Sequence, residues 1–331
     1  MNKVNYLLIT LLVMLCAMCN VSCCSTCDAE GKGQTIVEKH GKLSVKGTKL
    51  IDEKGETTVL RGVSLGWHIW WSDFYNPTVV NTLVNDWKST LLRVSVGVGP
   101  EGDYIDNPQL AIKSATTAVD AAIKEGVYVI IDWHSHDIRL EPAKEFFTLM
   151  ANKYKDYPHI IYEIFNEPDY ETWDEVKEYS VEIIKTIRAI DPDNIIIVGL
   201  PHWDQDVHIV ADDPITGFDN LMYALHFYAA THKRDLRARG EYALSKGLPL
   251  FVSECAGMEA TGDGPIDTEQ WNTWVQWMNK HNISWAAWSV SGKDESCSML
   301  HTTTAPNGKW ADCELKEWAH IVRNRLRIDH Q

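Results

Sequence analysis

The feature that most constrains the fold is a regular beat. Eight short apolar runs rich in β-formers recur along the chain, each followed by helical or mixed sequence. They span residues 60–65, 91–96, 128–134, 160–166, 195–200, 221–228, 248–254 and 283–290. Between them lie helix-like stretches at 108–124, 173–190 and 268–280. The first of these carries Ala111, Ile112, Ala115, Ala118, Val119, Ala122 and Ile123 on one stripe. Eight strand–helix units predict an α/β chain folded as a (β/α)8 barrel. A doubly wound open sheet fits less well, because no glycine-rich phosphate loop follows the first run. Upstream, 42–51 and 57–60 flank the turn signal Glu53-Lys54-Gly55-Glu56, which reads as an N-terminal β-hairpin plugging the N-terminal end of the barrel. Without a linker, repeat or low-complexity tract, 35–328 reads as a single domain.

In such a barrel the functional site lies at the C-terminal ends of the strands. Those ends carry, in order, Arg93, His134, Asn166-Glu167, His226 with Tyr228, Glu254, and Trp288. Glu167 and Glu254 are the most telling of these. An ionised carboxylate at the end of a buried strand costs several kcal/mol to desolvate unless partners satisfy it. Strands four and seven face each other across a barrel mouth, so the two glutamates form a candidate pair. Glycoside hydrolysis needs such a pair, one carboxyl protonated to assist the leaving oxygen and one ionised to attack or to activate water. The acid needs a pKa lifted to about 6, whereas hydrogen bonds from Arg93 or Tyr228 would keep its partner ionised. Arg93 reads equally well as the partner of a buried acid.

Fourteen tryptophans add to the case. Trp67, Trp70, Trp71, Trp203 and Trp288 fall at loops or strand ends, where flat aromatic faces bury the C–H patches of pyranose rings. Trp271, Trp274 and Trp277 recur at helical spacing, so at least two of them read as core, as does Trp133. His134-Ser135-His136-Asp137 alternates faces and completes no ligand set, so neither a metal nor another cofactor is expected. Serine-hydrolase and P-loop patterns are absent.

Net charge is −15, and −16 without residues 1–27, whose only charge is Lys3. That balance disfavours nucleic acid or an anionic bilayer as partner but not a neutral polysaccharide. Residues 1–27 read as a signal peptide: Lys3, then an uncharged apolar stretch too short to span a membrane, then a small, polar, cysteine-rich end. The chain is therefore expected to be secreted or held at the cell surface, with no transmembrane segment in its mature form. Ser22-Cys23 keeps open a lipoprotein anchor, as against free secretion. Cys297 and Cys313 are candidates for a disulfide in an oxidising compartment, which would leave Cys255 free. A monomer is expected.

Several stretches, in order and at matching spacing, carry a family resemblance. They are Tyr104-Ile105-Asp106-Asn107-Pro108, Val129-Ile130-Ile131-Asp132-Trp133-His134 and Ile161-Tyr162-Glu163-Ile164-Phe165-Asn166-Glu167-Pro168. Asp191-Pro192-Asp193-Asn194-Ile195-Ile196-Ile197-Val198-Gly199, Met222-Tyr223-Ala224-Leu225-His226-Phe227-Tyr228 and Lys293-Asp294-Glu295-Ser296 complete the series. From about residue 41 to 323 the chain resembles glycoside hydrolase family 5, and within it the bacterial endo-β-1,4-glucanases of subfamily 2. The resemblance implies a cofactor-free retaining double displacement on β-glucan, with Glu167 as acid/base and Glu254 as nucleophile. By the same likeness Asn166 would hold the sugar 2-hydroxyl, and Arg93 and Tyr228 would orient and ionise the nucleophile. His134 and His226 match supports of substrate and of the acid/base. Trp288 matches the platform under the reacting sugar, Trp70 a stacking residue on the non-reducing side and Trp203 one on the leaving side. Trp71 is a further aromatic candidate, and Lys293 and Glu295 match hydrogen-bonding groups further along the non-reducing side. The chain departs from the pattern at Gly66-Trp67-His68-Ile69-Trp70-Trp71, where a His-Gly pair is usual and His68 is the candidate for that contact. It departs again at Cys255-Ala256, in place of Trp-Gly, and at Val96-Gly97-Val98-Gly99, which lacks a usual tyrosine. Mannan, xyloglucan and mixed-linkage glucan remain alternative substrates, and a non-catalytic surface glycan-binding protein is the alternative of another class.

Overall fold

The computed structural model describes residues 33–330. The expected signal peptide over 1–27, with its cysteines, lies outside the described residues. The body that begins at Thr35 opens with helix α1 (Ile36–His40), which starts in a capping box. Thr35 Oγ1 accepts from Glu38 N, and Glu38 Oε2 accepts from Thr35 N, satisfying two otherwise orphan donors.

Strands β1 (Ser44–Lys46) and β2 (Lys49–Ile51) form the hairpin, but its turn is not where the sequence suggested. Lys46 pairs with Lys49 across Gly47, whose φ of 60° suits a two-residue reversal. The expected turn over 53–56 is instead a separate loop. There Asp52 Oδ1 accepts from Lys54 N and Glu56 N, and a single bridge joins Thr57 to Ile51.

The barrel strands are β3 (Arg61–Leu65), β4 (Leu91–Gly97), β5 (Tyr128–His134), β6 (Ile160–Glu163), β7 (Ile195–Val198), β8 (Leu221–Ala224), β9 (Phe227–Tyr228), β10 (Leu250–Ala256) and β11 (Trp285–Val290). Each pairs in parallel with its neighbours, and β11 pairs with both β3 and β10, which closes the ring. The run 221–228 is one barrel position in two pieces, since β8 and β9 both pair with β10 and Leu225-His226 lies between them. The expected (β/α)8 barrel is therefore observed. Helices α2 (His68–Trp71), α3 (Pro77–Asn85), α4 (Pro108–Glu125), α5 (Leu140–Tyr154), α6 (Trp173–Arg188), α7 (Val207–Asp212), α8 (Arg234–Ser245), α9 (Thr268–His281) and α10 (Glu317–Asp329) intervene or follow.

Local chemistry sets these bounds. Pro108 takes the first position of α4, Asn107 Oδ1 accepts from Leu110 N, and Gly126 ends the helix at φ 73°. In α9, Trp271, Trp274 and Trp277 are all buried, where their spacing implied at least two, and Trp133 is buried in β5.

Two apolar layers result. One fills the space between the strands' outer faces and the helices. A smaller one fills the lower barrel interior with Leu91, Tyr128, Ile130, Ile161, Ile197 and Phe251, and Leu50 of the hairpin packs into it. The hairpin therefore stops the N-terminal end, and the polar interior positions lie above it. Among the described residues no helix is long and apolar enough to cross a membrane. The pairing that the sequence leaves open, Cys297 with Cys313, is not formed: Cys297 is buried, Cys313 is exposed, and both are free thiols, as is buried Cys255.

Candidate active site

Strand period places the site's base. Leu91 faces the lower barrel, so Arg93, two residues on, points inward above it. Its guanidinium is fully buried and serves four acceptors. Nε donates to Glu163 Oε2 at 2.7 Å, Nη1 to Glu254 Oε2 at 2.9 Å and Nη2 to Asn166 Oδ1 at 2.6 Å. Asp132 Oδ2 lies 3.0 Å from Nη2 and accepts from His134 Nδ1 at 2.7 Å. Arg93 thus pairs with buried acids and holds Glu254 as well. Burial and Arg93 keep His134 neutral, well below its usual range.

Glu254 follows Ser253, and strict alternation would send one of them out of the barrel. Against β11, however, Val252 pairs with Trp285 and Cys255 with Ala287. The extra residue is a β-bulge, which re-aims side chains at a strand end. Ser253 Oγ meets His226 Nε2 at 2.9 Å, while Glu254 Oε1 accepts from Tyr228 Oη at 2.7 Å.

Glu167 lies just beyond β6. Its Oε1 is 2.9 Å from His226 Nδ1, and the same nitrogen is 3.0 Å from Asp204 Oδ2. A nitrogen facing two carboxylates carries the proton, because a lone pair there would be repelled by both. With that proton, His226 bonds to Glu167 and stands in charge contact with Asp204, the three donor atoms lying within 4.8 Å of one another. Asp137, Asp169 and Glu171 also converge, on partly exposed loops.

The electrostatics are crowded. Five carboxylates (Asp132, Glu163, Glu167, Asp204, Glu254) surround Arg93 and His226. Burial pushes Asp132 and Asp204 well above the usual carboxylate range. Burial opposes charge on His226, but Asp204, Glu163 and Glu167 outweigh it and raise its pKa. Glu254 is raised by burial and by the nearby charge of Glu167, against the pull of Arg93. Burial also acts on Glu167, yet the hydrogen bond and charge of His226 prevail and lower it. Each glutamate's charge disfavours the other's, so the two titrate as a pair.

The cleft has two halves meeting at Glu167 and Tyr228. One is lined by Trp67, Trp70, Trp71, Trp288, Lys293 and Glu295, the other by Trp203, Gln205 and His232, with Thr261 common to both. Trp288 stacks on His134 with centroids 5.1 Å apart and planes 6° from parallel, and Trp67 meets the same imidazole edge-on. Trp70 is 55% exposed and Trp203 36%. Lys293 Nζ lies 2.7 Å from Glu295 Oε2. His68 differs from the other candidates. It is fully buried, its Nδ1 accepts from Gly97 N at 2.9 Å, and it supports the cleft wall from behind.

Sequence reasoning did not single out Asp132, Glu163, Ser253 or Asp204, and read Trp67 and His136 only in passing. Asp132 was within reach, since it shares a strand face with His134 two residues on. Glu163 lies on the strand that leads to Glu167. No local signal marks Asp204. It ends a reversal in which His202, Trp203 and Asp204 all have positive φ (62°, 54° and 59°). L-residues adopt that region at a cost of roughly 1–2 kcal/mol each. The reversal turns Trp203 to the cleft and Asp204 inward, where Leu200 N donates to Oδ1.

Comparison with known proteins bears on the family and the fold. Residues 51–294 match the family model described as cellulase (glycosyl hydrolase family 5). The chain is 40% identical over 300 residues to Endoglucanase 5 of Pectobacterium carotovorum subsp. carotovorum, covering 88% of this chain and 59% of that protein. It is also 40% identical to Endoglucanase N of Pectobacterium atrosepticum, covering 88% of this chain and 67% of the relative. The chain thus spans about three fifths to two thirds of these relatives' length. A solved structure from Cytophaga hutchinsonii superposes with TM-score 0.88 at 42% identity, covering 89% of this chain and 97% of that one. The catalytic domain of a Thermobifida fusca endoglucanase in complex with cellotetraose superposes with TM-score 0.83 at 33% identity, covering 88% and 99%.

Proposed function

The chain belongs to glycosyl hydrolase family 5, and from that premise we propose that it is a retaining endo-β-1,4-glucanase. The observation that carries this reading is the unequal setting of the two glutamates in one cleft. Glu254 sits between the Arg93 guanidinium and the Tyr228 hydroxyl, donors that aim its carboxylate and favour its charge against the burial and the Glu167 charge that raise its pKa. Glu167 sits against His226, a group able to follow its protonation. Glu254 attacks the anomeric carbon while Glu167 protonates the departing oxygen, giving a glycosyl-enzyme ester. Glu167, now ionised, takes a proton from water, which attacks the same carbon and frees Glu254.

The neighbours fit these roles. Asn166 Oδ1 is held by Arg93 and its Nδ2 has no protein partner, which leaves Nδ2 to donate to the sugar 2-hydroxyl. Trp288, locked on His134, offers a face to the reacting glucose, with Trp70 and Trp71 on one side of it and Trp203 on the other. Lys293 and Glu295 bind further along the chain. Export by the leader, with or without lipid on Cys23, belongs to the same reading and is tested by fractionating cells that express the full chain.

Initial rates on carboxymethylcellulose, barley glucan, glucomannan and mannan test the substrate. The proposal expects carboxymethylcellulose or barley glucan to lead, and mannan far ahead overturns it. Proton NMR of the first-formed reducing end tests the stereochemistry: β-product is expected, and initial α-product excludes the double displacement.

A further inference from the structure

Asp204 is a fully buried carboxylate that the reaction just described does not use, and it faces the proton that Glu167 depends on. Its Oδ2 stands 3.0 Å from His226 Nδ1, with Glu167 Oε1 2.9 Å from the same atom. Both carboxylates thus stand within hydrogen-bond distance of one nitrogen: its N–H is aimed at Glu167, and Asp204 Oδ2 is buried beside it with no hydrogen-bond partner of its own. We propose that Asp204 and Glu167 share one proton across His226, with Asp204 holding it while the cleft is open and Glu167 receiving it when substrate excludes water. Asp204 is thus a positioning residue for the proton. The inference rests on reading Glu167 as the acid/base.

The transfer balances as a two-step relay. The His226 Nδ1–H bond breaks as Glu167 Oε1–H forms, and the Asp204 Oδ2–H bond breaks as Nδ1–H is restored. Total charge of the trio is unchanged, so only local solvation decides where the proton resides. Asp204 is wholly dry, whereas the Glu167 side chain is 14% exposed in the open cleft. A dry carboxyl keeps its proton and a wetter one its charge. A sugar over Glu167 removes its water and with it that advantage. The open-cleft preference agrees with the raised pKa of Asp204 and the lowered one of Glu167. That order is the reverse of what a proton donor needs, and the relay supplies the correction on binding.

The other charged or titratable groups facing the trio are Arg93 of β4, Glu163 of β6, Glu254 of β10, Tyr228 of β9, His136 after β5 and His232 after β9. None reaches Nδ1 as closely as the two carboxylates do.

The test is Asp204→Asn in the full chain. The amide oxygen still accepts from Leu200 N but the side chain cannot supply a proton, so Glu167 can be protonated only by leaving His226 without its own. The basic limb of the kcat/KM–pH profile should move down by about one pH unit on an aryl cellobioside with a poor leaving group. On one with a good leaving group, which needs little proton donation, it should move little. Unmoved limbs, or an equal loss at every pH, overturn the proposal and leave Asp204 a packing residue. If the variant does not fold, infrared spectra of the wild type with a thio-linked, uncleavable cello-oligosaccharide decide the matter. One protonated-carboxyl band should be lost and another gained on binding, and no change in that region overturns the relay. Glu167→Ala separates the two readings. Azide rescue on the activated substrate upholds Glu167 as acid/base whatever Asp204 does, and failure of that rescue overturns the parent reading and the relay together.

Discussion

At the scale of single residues, the cleft is organised by one cation. Arg93 donates to Glu163, Glu254 and Asn166 and lies 3.0 Å from Asp132, its own guanidinium wholly buried. Removing one partner of a buried ionic cluster strands the rest, at about 3–5 kcal/mol. Arg93→Ala should lower stability by that amount in urea titration and abolish activity. Arg93→Lys should recover part of the stability but little rate, because an ammonium lacks the planar fork that meets several acceptors at once. Glu254→Gln should keep the fold, since its amide still accepts from Tyr228, while kcat falls by ~10³-fold or more. Unchanged reducing-sugar release from that variant would remove Glu254 from the mechanism. Arg93, Glu167 and Glu254 were legible because polar groups ending apolar strands are costly, and so conspicuous. Asp204 was not, because its neighbours His226 and Glu167 are brought to it by other strands.

At the scale of elements, punctuation was easier to read than continuity. Helix α4 lies within a residue of its expected bounds because Pro108 and Gly126 mark both ends chemically. Gly126→Ala tests the second mark. At φ 73° an added Cβ would also stand 2.4 Å from the Thr35 Cβ. A melting experiment should show a loss of about 2 kcal/mol or more from the left-handed cost plus the overlap, with kcat/KM unaltered, since the site is at the other end of the barrel. An unchanged melting temperature would show that neither the left-handed cost nor the overlap with Thr35 is felt at this position. Two elements were misread. The sequence pattern places Gly47 inside a strand run, whereas the chain reverses there at φ 60°. The run 221–228 is apolar but for His226 and the tyrosine hydroxyls, and one histidine reads as a strand-end group without predicting a break at Leu225-His226. That break belongs to the site, where His226 faces Glu167, Asp204 and Ser253.

At the scale of the whole molecule, the buried histidines tie stability to pH. His68 is kept neutral by burial, its pKa lowered to about 4, and its Nδ1 must stay bare to accept from Gly97 N. Between pH 6.5 and about 4 the unfolded chain binds a proton there that the folded chain refuses, so stability falls as pH falls through this window. The linkage amounts to ~1.4 kcal/mol per pH unit, or roughly 3 kcal/mol across the window. Urea titrations at pH 7 and pH 5 should show this slope, and His68→Gln, which can still accept from Gly97, should flatten it by about one proton. The sequence by itself determined the barrel, because strand and helix periods and their alternation are local properties that short-range sterics and amphipathicity impose. It also determined the identity of the paired glutamates, whose position after apolar runs is equally local. Only the tertiary structure decided which of five carboxyls keep their protons and which side chains share them. Proton affinity depends on desolvation and on charges a few ångströms away, and here those charges come from strands far apart in sequence.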